Sequence, residues 1–288
     1  MPAPDGLLVV DKPSGWTSHD VVGRGRRLCA TRKVGHAGTL DPMATGVLVL
    51  GLGRATRLLG HLMLTDKAYD ATIRLGSTTS TDDAEGEVVA TASTADVTEE
   101  AVRDALAGFV GEIQQVPSAV SAIKVDGRRA YERVRAGEDV ELAPRKVRVD
   151  EIVVRAVRGD DVDVSVRCSS GTYVRAIARD LGGRLGVGGH LVALRRTAVG
   201  PYELDVAHTL EELEDDLAVL PIGDAARRGF PSLDLDEEQT TDVRFGRRLT
   251  LDLEQDGPVA LFAPDGEFLA LYQAGEDGRA KAVAVFCG

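Results

Sequence analysis

Val147-Arg148-Val149-Asp150-Glu151-Ile152-Val153-Val154-Arg155-Ala156-Val157 and Val162-Asp163-Val164-Ser165-Val166-Arg167-Cys168 flank the turn Gly159-Asp160-Asp161. Both flanks are rich in β-branched residues, and the second alternates apolar and polar at every step, as a half-buried strand does. Joined by so short a turn, they can only fold back as an antiparallel hairpin, because parallel strands need a long crossover. Tyr69 to Leu75 alternates in the same way, Val47-Leu48-Val49-Leu50 reads as a buried strand, and His190–Val199 as another. Gly6 to Pro13 is a short apolar strand ended by a proline that cannot extend a ladder. Between these lie helical periods: Ser18, read as the cap, to about Leu28 with interruptions at Gly23 and Gly25; Arg54 to Leu64; Thr98 to about Phe109; and Thr172 to Leu185. Hairpins this frequent argue against a doubly wound parallel sheet. The expected class is α+β, with a mixed, largely antiparallel sheet over residues 1–220.

From about Pro221 the composition turns acidic. Short strands there are separated by Gln255-Asp256-Gly257-Pro258, Pro264-Asp265-Gly266 and Glu276-Asp277-Gly278. That rhythm suggests a small β-barrel or sandwich over residues 221–288.

The chain of 288 residues carries a net charge of -12, which argues at first sight against a nucleic-acid partner. The charge is unevenly placed. Residues 1–60 hold 8 Lys/Arg against 4 Asp/Glu, and residues 144–200 hold 11 against 6, whereas residues 201–288 hold 7 against 20. Potential matters within about a Debye length of ~8–10 Å, so two basic blocks can serve an RNA if folding brings them together. No apolar run is long enough for a membrane span, and the first residues are not signal-like. The three scattered cysteines form no metal spacing and suggest a reducing cytoplasm. The five histidines show no ligand spacing either, so no metal site is expected.

Two segments stand out chemically. In Gly35-His36-Ala37-Gly38-Thr39-Leu40-Asp41-Pro42-Met43-Ala44-Thr45-Gly46, Asp41 precedes a proline and has glycines on both sides. A carboxylate presented on such a loop can act as nucleophile or base, although Asp-Pro is also a common turn initiator. Ser169-Ser170-Gly171-Thr172-Tyr173-Val174-Arg175 joins a strand to a helix whose start would carry Tyr173 and Arg175. There Arg175 is placed to hold a carboxylate or phosphate, or is simply a surface residue. Gly51-Leu52-Gly53-Arg54-Ala55-Thr56 looks faintly like a dinucleotide loop, but its third glycine is Thr56 and no parallel-sheet rhythm surrounds it.

Taken in order, Leu8–Pro13, Gly35–Pro42, Asp66-Lys67-Ala68-Tyr69, Gln115–Lys124, Gly171–Arg175 and His190–Arg196 resemble the blocks of the bacterial tRNA pseudouridine synthase B family. The resemblance implies a pseudouridine-synthase catalytic domain followed by a PUA-like RNA-binding barrel. It also implies isomerisation of uridine 55 in the T-arm loop of tRNA, without a cofactor. By the same resemblance Asp41 would be the essential aspartate and Arg175 the arginine that pairs with it. Tyr69 would stack on the uracil and serve as a late base, and Tyr173 would contact the substrate. His36 would prop the RNA loop open by stacking, Leu194 would line the uracil pocket, and Lys12 would support it. The implied partner is the T-arm stem-loop of tRNA, with no membrane and no obligate protein partner, so a monomer in the cytoplasm is expected. Rival readings are a non-catalytic RNA binder, a nucleotide-dependent enzyme acting through Gly51–Thr56, and a related synthase acting on another RNA.

Despite the acidic total, RNA binding should weaken steeply as salt rises from about 50 to 200 mM. A filter-binding titration that gives the same affinity at both ends of that range contradicts the argument from the basic blocks.

Overall fold

The computed structural model describes residues 4–118, 124–125, 128–129, 142–247, 249–253, 257–275 and 279–287. Part of the expected Gln115–Lys124 block and the turns at 255–256 and 276–278 lie outside the described residues. The strands are β1 (Gly6–Lys12), β2 (Val34–His36), β3 (Thr45–Leu52), β4 (Lys67–Leu75), β5 (Ser77–Thr79), β6 (Val88–Thr91) and β7 (Gly111–Gln115). After them come β8 (Lys124–Val125), β9 (Arg128–Arg129), β10 (Arg145–Arg158), β11 (Asp161–Cys168), β12 (Gly189–Val199), β13 (Tyr202–Glu203) and β14 (Leu220–Pro221). The last four are β15 (Ser232–Asp234), β16 (Val259–Phe262), β17 (Phe268–Ala274) and β18 (Ala280–Val285). The main sheet runs β14-β1-β3-β12-β4-β11-β10-β7, with β2 added on β3 and β13 on β12. The hairpin read from the sequence is present, with Arg158 opposite Asp161, and β10 begins two residues earlier than expected.

Within that sheet the described pairings are antiparallel except one. β12 lies parallel to β3, with Arg195 opposite Thr45 and Arg196 opposite Gly46. Gly46 has a positive φ of 98°, and a Cβ there would overlap the Arg196 backbone. Only glycine lets the two chains close at this seam.

Helices that border the sheet and its loops include α1 (Ser18–Leu28), α2 (Leu59–Leu62), α3 (Glu99–Ala107) and α4 (Val174–Leu185). The expected Ser18 cap is displaced by one residue. Thr17 caps α1 in a capping box with Asp20, while the Ser18 hydroxyl donates to the Leu40 carbonyl and accepts from the Leu40 amide. Nor do the glycines interrupt α1, because Gly25 faces the Leu50 and Val34 side chains and packing offsets its weak propensity. The helix expected from Arg54 to Leu64 is instead a 3-10 turn over Gly53–Arg57 followed by the single turn α2. Thr98 caps α3 as read.

Helix α4 buries Val174, Ile177, Ala178 and Leu181, spaced as one helical face, against Ala71, Ile73, Val162 and Val164 of the sheet. Its other anchor is backbone on backbone, since a Cβ at Gly182 would overlap Gly188 and Gly189 at the start of β12. On the β1–β3 side the sheet is covered twice, by α1 over Leu8, Val10, Leu48 and Leu50 and by Phe262, Phe268 and Phe286 over Leu7, Val9, Val47 and Val49.

The expected small barrel takes another form. The described C-terminal strands make a sheet in the order β15-β16-β17-β18, with two edges and no closure. Its first pair, β15–β16, is parallel, which the turn rhythm could not reveal. No described helix is long and apolar enough to cross a membrane.

Replacing Gly182 by Ala should cost about 1–3 kcal/mol through overpacking, read as a lower urea midpoint at unchanged m-value. Wild-type stability in G182A would show that α4 and β12 do not depend on this contact.

Candidate active site

Asp41 and Arg175, 134 residues apart, meet at the seam between β3 and β12. Arg175 Nε lies 3.0 Å from Asp41 Oδ2, and its Nη2 donates to Oδ1 at 3.2 Å. The fork of the guanidinium thus faces both carboxylate oxygens. The same guanidinium is held from the other side, where Nη1 donates to the Thr81 carbonyl at 3.0 Å and lies 3.2 Å from Asp83 Oδ2. Asp83 is buried and accepts from the Thr81 hydroxyl and the Glu85 amide. One helical turn on, Arg179 binds Asp82 at 3.1 Å, so both arginines of one α4 face grip the 81–83 loop. Arg175 is 5% and Asp41 33% exposed in their side chains, so the arginine is structural while the carboxylate opens onto a cavity.

That cavity, of about 370 Å³, is lined by Asp41, Tyr69, Tyr173, Arg175, Leu194 and Arg196, with Met63 and Leu64 also on its wall. Burial raises the pKa of Asp41, Arg175 opposes the rise, and the nearby Asp83 charge adds to it. The arginine alone therefore does not set the protonation of the acid. Burial likewise pushes the Tyr69 phenol up, against the pull of Arg196, which sits directly across the ladder from it.

Each loop is fixed from behind. Gln115 clamps the start of α4, taking the Tyr173 amide at 2.8 Å and donating to its carbonyl at 3.1 Å. Lys12 is fully buried, and its Nζ donates to the carbonyls of Pro13, Trp16 and Pro42 at 2.8, 2.7 and 3.1 Å. It therefore supports the Asp41-Pro42 turn from beneath and lines no part of the cavity. Burial lowers its pKa to about 8 despite the attraction of Asp41. Arg196, 1% exposed, donates to the carbonyls of Val47, Thr39 and Gly38 and so carries the front of the same loop. Lys67, also buried, donates to the carbonyls of Met63 and Thr65.

Of the residues singled out in the sequence, Asp41, Tyr69, Tyr173, Arg175 and Leu194 share the cavity and Lys12 lies below it. His36 does not join them. It sits on β2 opposite Leu50, its ring edge-on to His19 of α1 at 5.7 Å, on the other side of the loop. Sequence reasoning missed Asp83, Arg196 and Gln115. Arg196 and Gln115 lie inside quoted blocks, but no local pattern says that one arginine of a pair turns inward.

The chain matches known proteins over nearly its whole length. The TruB family pseudouridylate synthase N-terminal model covers residues 26–174, the tRNA pseudouridylate synthase B C-terminal model 175–225, and the tRNA pseudouridine synthase II C-terminal model 230–287. A tRNA pseudouridine synthase B of Arthrobacter sp. (strain FB24) is 60% identical over 98% of this chain and 96% of its own length. The protein of that name from Mycobacteroides abscessus is 56% identical over 97% and 95%. Among solved structures, a chain of a Cbf5-Nop10-Gar1 complex superposes with a TM-score of 0.76 at 27% identity, over 98% of this chain and 84% of that one. A chain of an H/ACA RNP bound to a substrate RNA containing 2′-deoxyuridine gives 0.74, also at 27% identity, over 98% and 84%. With its paired carboxylate and arginine at the seam of the sheet and these matches along its length, the chain belongs to the TruB family of pseudouridylate synthases.

Proposed function

We propose that this chain isomerises uridine 55 in the T-arm loop of tRNA to pseudouridine, with Asp41 as the reacting group. The observation that carries the reading is the Asp41 carboxylate, bidentate to Arg175 and open to a cavity of about 370 Å³, within the range of small-ligand sites. In the reaction the C1′–N1 bond breaks, the uracil rotates, C1′ bonds to C5, and the C5 proton is lost while N1 gains one. No electrons leave or enter, so the chain's own acids and bases suffice. Asp41 either attacks C1′ or takes a proton from the ribose, and both routes require its charged form.

A stacked uridine cannot present its ribose to a walled-in carboxylate, so the nucleotide is extruded, at ~ a few kcal/mol for unstacking. Tyr69 stacks on the base, with Tyr173 and Leu194 closing the pocket, and stacking returns about 1–3 kcal/mol. Tyr69 enters as a neutral phenol. As late base for C5 it therefore accepts the C5 proton as its own phenolic proton passes to solvent, with Arg196 beside it to favour the phenolate. His36 stacks on the RNA at the outer side of the Asp41 loop, next to α1. Residues 1–220 form the catalytic domain and 221–288 an RNA-binding domain of PUA-like kind. Because the groups needed for chemistry come from a single chain, the enzyme works as a monomer on the tRNA T-arm in the cytoplasm.

The test is Asp41→Asn assayed for pseudouridine at position 55 of transcribed tRNA. Activity should fall by more than about 10³-fold while tRNA binding stays within about threefold; an active variant refutes the role. The pH profile is a second test. Burial raises the Asp41 pKa, so the charged form is lost as pH falls, beginning above the ordinary Asp value of about 3.9. Single-turnover rates should therefore decline on an acid limb lying above that value, and Asp83→Asn, by removing a like charge, should move the limb to lower pH. A limb at or below about pH 4 in the wild type contradicts the assignment.

A further inference from the structure

The turn that follows α2 is pinned residue by residue. The Met63 amide donates to the Leu59 carbonyl, the Leu64 amide to His61 and the Thr65 amide to Leu62, and the Thr65 hydroxyl donates to the Leu62 carbonyl as well. The buried Lys67 ammonium donates to the carbonyls of Met63 and Thr65, on either side of Leu64. The Gly200 amide closes on the Asp66 carbonyl at 2.8 Å, and a Cβ at Gly200 would lie 2.9 Å from the Thr65 hydroxyl. A turn held in this way has no freedom to fold its side chains inward.

Yet the two side chains it presents are apolar. Leu64 is 72% and Met63 44% exposed. The core does not require them, since Leu58, Leu59 and Leu62 already supply its apolar contacts from this segment. A lone exposed leucine is ordinary on a protein surface. This pair differs in position: among the described residues, Met63 and Leu64 are the exposed large apolar side chains that line the Asp41 cavity. The Met63 Cγ lies 4.0 Å from where a Cβ on Gly38 would stand, so the turn abuts the Asp41 loop. The segment 169–172 supplies another part of the wall and carries hydroxyls, at Ser169, Ser170 and Thr172.

Extruding a nucleotide uncovers the faces of the bases it lay between, and that lost stacking opposes entry. Leu and Met are among the apolar side chains that wedge against unstacked bases in nucleic-acid complexes. A sugar-phosphate offers hydroxyls and charge, which match the 169–172 side, whereas a base face is apolar and matches the 63–64 side. We propose that Met63 and Leu64 form a rigid wedge at the cavity mouth, with Leu64 packing on the face of the base next to the extruded uridine. The wedge rests on the proposed activity and deepens it by adding a contact to a second nucleotide. Because the turn is already ordered, little conformational freedom is lost when the contact forms.

The experiment compares the full-length wild type with Leu64→Ser on a synthetic T-arm hairpin, and on hairpins in which the nucleotide 5′ or 3′ to the target uridine is abasic. On the intact hairpin L64S should raise KM about tenfold, as expected for losing the burial of one leucine, with a smaller effect on kcat. Leu64→Met keeps the apolar volume and should stay within about twofold of wild type. The ratio of L64S to wild type should fall to about twofold or less on one abasic hairpin and persist on the other, because the contact it reports is then missing from both proteins. A merely structural role would leave that ratio unmoved. Val89→Ser removes an apolar side chain that is 69% exposed and lies outside the Asp41 cavity, and should leave KM unchanged. An L64S equal to wild type on the intact hairpin overturns the wedge, and so does a ratio that persists on both abasic hairpins or an equal loss in V89S. A wild type that makes no pseudouridine in any RNA removes the proposed activity and the wedge with it, a result distinct from these because it precedes every comparison.

Discussion

The site depends on one guanidinium shared between two carboxylates. Arg175 is nearly removed from water, and a buried cation costs several kcal/mol unless its donors are met. Here they are met by Asp41, Asp83 and the Thr81 carbonyl. Only Asp41 faces outward, so one half of the network is closed and the other half opens onto the cavity. For this sharing to hold, three chain segments must arrive together: the loop before β3, the 81–83 loop and the first turn of α4. Gln115 fixes the helix start, the Leu191 amide donates to the Asp82 carbonyl at 3.0 Å, and Lys12 and Arg196 hold the carbonyls of the Asp41 loop.

Those supports are themselves charged. Lys12, Lys67, Arg175 and Arg196 are buried around or beneath one cavity, and three of them spend their protons mainly on backbone carbonyls rather than carboxylates. Carbonyl oxygens satisfy the donors without cancelling the charge. The result is a positive interior within a negatively charged molecule, suited to stabilising a carboxylate and a phosphoribose together. The opposing effect is also visible: dehydration and Asp83 raise the Asp41 pKa although cations lie near. The Asp41 carboxyl is thereby held above its ordinary range, where an exposed salt bridge would hold it below.

Much of this was legible in the sequence, for reasons that differ by element. The 147–168 hairpin and the apolar face of α4 follow from local period, which tertiary packing only confirms. The cap of α1 was misplaced by one residue because Thr17 and Ser18 are both good caps, and only the fold shows that Ser18 is needed at Leu40. The broken helix at 53–62 has helical spacing, but Gly53 and the packing of Leu58 against the sheet core override it. Asp41 and Arg175 each stand out within their own segments, but their pairing came through the family blocks, since no local rule links residues 134 apart. Asp83 and Arg196 escaped because their roles are set by the parallel β3–β12 contact and the 81–83 loop, both purely tertiary. The turn rhythm left the C-terminal segment as a barrel or sandwich, and the family resemblance implied a barrel, because Asp-Gly turns report hairpins and say nothing about closure.

The parallel contact explains why the site lies where it does. Where β12 runs alongside β3, the chain enters β3 from the Asp41 loop and reaches β12 from the far end of α4, and neither connection bridges the gap between them. A cleft is left at that seam, with loop residues on one wall and Leu194 and Arg196 on the other. Gly46 lets the two backbones touch there, which draws the two walls together. The place of the cleft is thus set by sheet topology before any side chain lines it.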